Sequence, residues 1–392
     1  MTIRKVYVIH PEGNASNNPT LSSLFSLFRE YGVQVVYAHE SIRAQRNLII
    51  DVETVFTGKF IAKLKRYIIF HLMSEWLLSL VIKFQSRKHT KGIDLIIGID
   101  NQGIVEAYSL AKQMKVPLVY WSFEIVFKTE VPEQIKRLEI KACNKAALVF
   151  VQDSERGLAL SQQNSISNQK LRYVPVGNYQ TESQPTGTAR LRDDLGIPSS
   201  ARVAIVMGSI ARWTCADEII ENALRWPRDW HLILHGRYGE TDLEISQLKL
   251  DISKSSGKIH ISNAVSESVQ SMKYILAGIN AGIAFYRSTY EGSSVGENIE
   301  RIGLSSGKIA TYLQHGVPVI TNVKGECREL LRAYSAGFTL ADPSEITSVL
   351  PLCNSDALQT NATLLFNSVF NFSNYRQKVW NEISSLVSHG AE

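Results

Sequence analysis

The 392-residue chain is poor in cysteine: Cys143, Cys215, Cys327 and Cys353 are all it has, and no two stand at C-x-x-C spacing. With no such pair and no His at metal-ligand distance, neither a zinc site nor a disulfide framework is expected, and the four read as reduced thiols. A secretory leader pattern is also missing. Met1 to Lys5 runs straight into an apolar strand pattern, without a charged n-region, an apolar h-region and a small-residue cleavage site. A cytoplasmic chain is therefore expected, and the sequons at Asn14, Asn361 and Asn371 read as chance matches. Long apolar runs are lacking too: the best candidate, Tyr67 to Phe84, is interrupted by His71 and Glu75 and falls short of the ~20 apolar residues of a membrane span. The net charge of +5 comes without a dense basic block interleaved with aromatics, which argues against a nucleic-acid partner.

What is present is an ordinary globular composition, 44% hydrophobic and 20% charged, in a chain too long for one core. Short apolar runs of strand length alternate with helical patterns throughout, the signature of parallel sheets covered by helices on both faces. The first set comprises Lys5–Ile9, Gln34–Ala38, Asp94–Ile99, Pro117–Trp121 and Ala147–Val151. After a polar stretch from Asn178 to Arg192, read as a linker, the pattern restarts with Arg202–Met207, His231–His235, Lys258–Ile261, Ala281–Phe285 and Val317–Thr321. Helices are expected between them at Ala216–Leu224 and Ser268–Leu276. The reading is an α/β protein of two Rossmann-like doubly wound domains, residues 1–180 and 190–360, with a helical segment at 361–392 packing back toward the first. In such folds ligands bind outside the carboxyl ends of the strands, and clefts between domains are favoured.

The most informative segment runs from Gly303 to Ile320. It reads as a loop ending in Ser305 and Ser306, a helix from near Gly307 to Gly316, then a buried strand. A helix start offers free backbone N–H groups and a positive dipole end to an anion, and Lys308 adds a full charge in the first turn. A cation there opposes the dipole, a misfit that a bound phosphate resolves. The plainer alternative is N-capping by Ser305 or Ser306 beside a solvated lysine.

Ser306-Gly-Lys308 and Tyr312, with Gly316-Val-Pro-Val-Ile320, resemble the donor-domain motif of glycosyltransferases of the GT-B type, in which a Ser-x-Lys, an aromatic-bearing helix, a Gly and a Pro-Val-Ile strand hold the donor diphosphate. The resemblance implies a retaining, nucleotide-sugar-dependent transferase of the group 1 kind, with a nucleotide-diphosphate sugar as co-substrate and no resident cofactor. It implies a glycan or lipid-linked acceptor taken by the first domain. Gly208-Ser209 follows the first strand of the second half, where a glycine admits a ligand close to the backbone, and Arg212 is placed to clamp a phosphate. A surface ion pair is the alternative for Arg212. Gly236 matches the family's glycine at the end of the next strand. Ser306 and Lys308, with Arg212, are expected to stabilise the leaving diphosphate, Ser305 is a further donor-binding candidate, and Glu300 is a candidate for the donor sugar or ribose alongside Glu291 and Glu297.

The chain departs from the family where many retaining members carry two acidic residues, for Gly303 and Thr311 stand at those positions. No Asp-x-Asp pair occurs either, so a metal-bridged diphosphate is not expected and no metal ligands are assigned. In the first domain, the Gly/Asn-rich loop His10–Pro19 resembles the family's acceptor-side loop. Glu124, after a strand end, is the candidate to orient or deprotonate an acceptor hydroxyl, ahead of Asp100 and Asn101; a loop carboxylate bonded to backbone is the alternative.

One charge asymmetry stands out. Between Lys59 and Lys91 the basic residues Lys59, Lys63, Lys65, Arg66, Lys83, Arg87, Lys88 and Lys91 face only Glu75 and flank the apolar stretch Tyr67–Phe84. An amphipathic helix there, with Trp76 on its apolar face, suits contact of residues 59–91 with an anionic membrane surface; a domain helix with a solvated basic face is the alternative. Two other functions stay open: a sugar-nucleotide epimerase of the same fold, and a non-catalytic partner subunit that kept the fold and lost the chemistry.

Overall fold

A computed structural model describes residues 3–13, 15, 18–40, 52–72, 74–179, 190–236, 257–262, 269–291 and 295–388. The chain divides into two compact units, one of Met1–Asn178 with Phe372–Glu392 and one of Tyr179–Asn371.

The first unit is built on a parallel sheet of seven strands: β1 (Lys5–Ile9), β2 (Gln34–His39), β3 (Glu53–Phe56), β4 (Leu95–Ile99), β5 (Leu118–Trp121), β6 (Leu148–Val151) and β7 (Leu171–Tyr173). Their order is β3-β2-β1-β4-β5-β6-β7. The order reverses at β1, between β2 and β4, which is where a doubly wound sheet opens to ligands. The central strands are buried on both faces, as their near-continuous Val/Ile/Leu runs require. Helices α1 (Pro19–Glu30), α2 (Lys59–Tyr67), α3 (Glu75–Ser86), α4 (Asp100–Met114), α5 (Glu133–Lys145) and α6 (Ser154–Asn164) fill the connections.

The apolar stretch expected as one amphipathic helix is two. The backbone of α2 runs into a π turn over Ile68–Leu72, and Ser74 starts α3 by accepting the Leu77 N–H at 3.3 Å. On α2 the inward-facing Lys65 is buried and bonds Glu40 and Glu106, each at 2.7 Å. Burial lowers the proton affinity of this ammonium, but the two carboxylates outweigh it and hold the pKa above its ordinary value.

The second unit repeats the design with six parallel strands: β8 (Arg202–Gly208), β9 (Trp230–Gly236), β10 (Ile259–Ser262), β11 (Ala281–Ala284), β12 (Val319–Thr321) and β13 (Gly337–Thr339). Their order is β10-β9-β8-β11-β12-β13, so the reversal falls at β8. The helix Gly307–Gln314 packs through the ring of Tyr312, which lies where a side chain on Gly282 would be: a Cβ there would come within 2.4 Å of the ring. The Tyr312 hydroxyl accepts the Met207 N–H at 2.9 Å and has the carbonyls of Ile205 and Ile283 at 3.2 and 3.3 Å as acceptors. One phenol thus ties the helix to the two central strands.

The C-terminal helical segment expected at 361–392 is also divided. Asp356–Leu365 and a π turn at Phe366–Phe370 bury Ala362, Leu365, Phe366 and Phe370 in the second unit's core, so residues 361–371 belong there rather than with the C-terminal segment. The helix Arg376–Ser388 belongs to the first unit, where Trp380 stacks on Tyr31 at 3.9 Å and Glu382 takes a bidentate pair from Arg172 at 2.6 and 2.9 Å. The middle of the expected linker, 180–189, Asn14 in the first loop, and Ser268 at the start of an expected helix lie outside the described residues. At the linker's end, Leu191 and Arg192 are buried in a short helix, Leu191–Asp194.

Candidate functional site

In the second unit the carboxyl ends of β8 and β9 finish on two glycines in register, Gly208 beside Gly236. Gly208 adopts φ +87°, a conformation that favours glycine, and leaves the edge of the sheet without a Cβ. That space is taken by Lys308. Its side chain passes so close that a Cβ on Gly208 would lie 3.0 Å from the Lys308 Cε. The ammonium donates to the Ser209 carbonyl at 3.3 Å and stands 5.4 Å from the Trp213 ring centroid and 5.7 Å from that of Tyr286. Two aromatic faces and a carbonyl thus hold a cation at the switch point of the sheet.

Ser306 is the N-cap of the Gly307–Gln314 helix and accepts the Ile309 N–H at 3.2 Å. Its hydroxyl also bonds the buried Tyr286 hydroxyl at 2.5 Å. The plainer role therefore describes the Ser306 hydroxyl, which is buried and engaged on both sides. The helix start itself keeps its dipole and the N1 amide of Gly307, which has no intrahelical acceptor. Ser305 donates back to the Ile302 carbonyl at 2.6 Å. Thr311, where the family's second acidic residue would stand, donates to the Gly307 carbonyl at 2.8 Å.

Arg212 opens a short turn, Arg212–Thr214, and is 73% exposed, with Glu291 at 3.6 Å as its ion-pair partner. Such a pair is screened and weak. Glu300 faces Lys324 at 3.3 Å. Burial raises the Glu300 pKa, but hydrogen bonds from Ser288 and Lys324 win and hold it below the ordinary carboxylate value, so it is ionised at neutral pH. The structure thus gathers Gly208, Ser209, Gly236 and Lys308 at the ends of β8 and β9, while Ser306 bonds Tyr286, just beyond β11. Ser305, Arg212 and Glu300 each have partners of their own nearby in sequence or space. Trp213 and Tyr286 were not singled out from sequence; the available signal was an aromatic immediately after Arg212 and another immediately after the strand run Ala281–Phe285.

Glu124 belongs to the first unit, in the loop after β5. Its backbone N–H, with that of Phe123, donates to the Asp100 carboxylate at 2.8 and 2.7 Å. Asp100, after β4, is buried and holds φ +55°, a strained conformation for a residue with a side chain. Burial, then the charges of Glu12 and Glu124, push its carboxyl well above the usual range. The buried Arg156 completes the group, donating to the Phe123 carbonyl at 2.6 Å and to Gln152 at 2.8 Å. Asp100, the lesser candidate on sequence, is the residue that fixes the loop carrying Glu124.

No known sequence family matches the chain, and no curated protein sequence does. Solved structures do. Sucrose-phosphate synthase from Thermosynechococcus elongatus is similar over 98% of this chain and 100% of its own, with a TM-score of 0.74 at 12% identity. HepE from Anabaena, in complex with UDP and glucose, is similar over 97% of this chain and 100% of its own, with a TM-score of 0.72 at 16% identity. A Listeria monocytogenes protein described as a UDP-N-acetylglucosamine 2-epimerase is similar over 99% of this chain and 97% of its own, with a TM-score of 0.62 at 12% identity. At such identities the likeness establishes the fold: the chain has the GT-B fold, two parallel-sheet Rossmann-like units, as its motifs imply.

Proposed function

We propose that the protein transfers a sugar from a nucleotide-diphosphate donor to an acceptor hydroxyl on a glycan or a lipid-linked sugar. The donor is held by the second unit and the acceptor by the first. The observation that carries this reading is Lys308, held by Trp213, Tyr286 and the Ser209 carbonyl at the switch point of a parallel sheet, beside a helix start and a side-chain-free edge. A diphosphate there meets an ammonium, a helix dipole and backbone within reach. Arg212 exchanges its exposed carboxylate partner for a phosphate, which it can grip bidentately. These charges stabilise the leaving diphosphate without a metal. Gly236 and Glu300 serve the nucleotide side, Ser305 the phosphate side, and Glu124, oriented by Asp100, the acceptor hydroxyl. Retention of configuration is assigned on the family resemblance. The structure of HepE with UDP-glucose supports the donor class.

The test is thermal stabilisation of the full chain by a panel of nucleoside diphosphates and their sugars, beside Lys308→Ala. A ligand at 100 times its dissociation constant adds about 2.7 kcal/mol to the unit that binds it. A shift specific to one base and lost in the variant supports the reading; a folded protein that answers to no nucleotide overturns it. Likeness to the Listeria monocytogenes protein supports a second reading, epimerisation of a sugar nucleotide. Donor turnover without any acceptor would favour that reaction over transfer.

A further inference from the structure

Two helices of the first unit present apolar rows to solvent. On α2, Phe60, Leu64 and Tyr67 recur at helical spacing and are all exposed, Phe60 at 80%. On α3, Trp76, Leu80 and Phe84 stand at i, i+4 and i+8, with Trp76 68% and Phe84 79% exposed. The same helix buries another stripe, Leu78, Ile82 and Ser86. A surface helix ordinarily has one apolar stripe and turns it inward. Here α3 has two, and its larger side chains are on the outer one. Rows of exposed aromatics of this kind mark an interaction surface.

The charge around these rows has one sign. Lys59, Lys63, Arg66, Lys83, Arg87 and Lys88 are all exposed, while Glu75, the acidic residue of the stretch, pairs with Lys141. A protein partner of the same sequence would set these cations against their own copies across a two-fold contact, which is repulsive. An anionic lipid surface accepts both features at once: aromatics in the headgroup and acyl boundary, cations on the phosphates. Among the described residues no helix is long and apolar enough to cross a membrane, so the contact is along the surface. We infer that α2 and α3 dock the protein on an anionic phospholipid surface, with Phe60, Trp76 and Phe84 inserted.

The inference stands apart from the transferase reading, because lipid binding is measured without nucleotide and nucleotide binding without lipid. The experiment is flotation of the full chain with vesicles of phosphatidylcholine and phosphatidylglycerol, against phosphatidylcholine alone. The protein is expected to float with the mixed vesicles and to be released by high salt. At about fivefold per cation, Lys63→Gln with Lys83→Gln and Arg87→Gln weakens binding on the order of a hundredfold. Trp76→Ser with Phe84→Ser abolishes flotation while the protein, altered only at exposed positions, keeps its melting temperature. Equal flotation with both vesicle types, none with either, or variants that float like the parent would overturn the docking. So would a dimer in sedimentation that Trp76→Ser with Phe84→Ser dissolves, since the face would then belong to a second copy.

Discussion

Replacing Tyr312 by Phe removes one oxygen from the centre of the second unit and leaves the ring that packs on Gly282. No cavity opens, so the effect isolates the hydroxyl. Without it the Met207 N–H, one residue before Gly208 in β8, loses its acceptor at 2.9 Å in a buried setting. The carbonyls of Ile205 and Ile283 lose a donor, though each carbonyl has a second lone pair and suffers less. An unsatisfied buried amide costs about 1–3 kcal/mol, and ~2 kcal/mol is the expectation here. For a unit of this size that lowers the midpoint of its thermal transition by about 4–8 °C. Calorimetry on the full chain reads this directly, and the transition of the first unit should not move. A variant melting within about 1 °C of the parent would mean that water replaces the phenol, and the dry junction between helix and strands would be wrong.

Gly208→Ala should destabilise the second unit by more than ~1 kcal/mol, from φ +87° and from the Cβ meeting Lys308 Cε at 3.0 Å. It should also weaken any nucleotide response by displacing that lysine; unchanged melting with and without nucleotide would contradict the packing described. His235 gives a pH dependence. Burial lowers its pKa from 6.5 to about 4 in the folded state. The unfolded chain therefore binds more protons between those values, so this contribution to stability is complete above pH 6.5 and falls away as pH drops toward 4. Going from pH 7 to 5 removes about 2 kcal/mol through this residue. His235→Asn should lose correspondingly less stability over that interval in melts of the second unit; identical losses in both proteins would refute the assignment.

The interior of each sheet was legible because strands buried on both faces must be apolar throughout, and such runs are conspicuous. All ten strand runs read from sequence exist, within a residue or two at their ends. The strands that escaped notice, Glu53–Phe56, Leu171–Tyr173 and Gly337–Thr339, are all at sheet edges. They are short and half-exposed, so they carry no run to see. The C-terminal stretch misled for a different reason. Phe366 and Phe370 look like Val379 and Ile383 in a helical pattern, yet the first two enter one core and the last two lie in a helix of the other unit. Periodicity reports that a face is buried and not what buries it. At the candidate site, Lys308 and Ser306 were visible as a local misfit at a helix start. Trp213 and Tyr286 were not, because only the fold brings their rings to the lysine.

The buried Lys65 decides which way the α2 helix faces. This helix has apolar side chains on both sides, Ala62 within and Phe60, Leu64 and Tyr67 without, so hydrophobicity alone does not choose between them. Turned half round, it would bury more carbon and carry Lys65 into water. Glu40 and Glu106 would then lose the ammonium they share, a penalty of several kcal/mol set against the carbon gained. An ion cluster of little net worth to stability thus acts as an orientation key, and it keeps outward a row of aromatics that a purely apolar contact would have drawn inside.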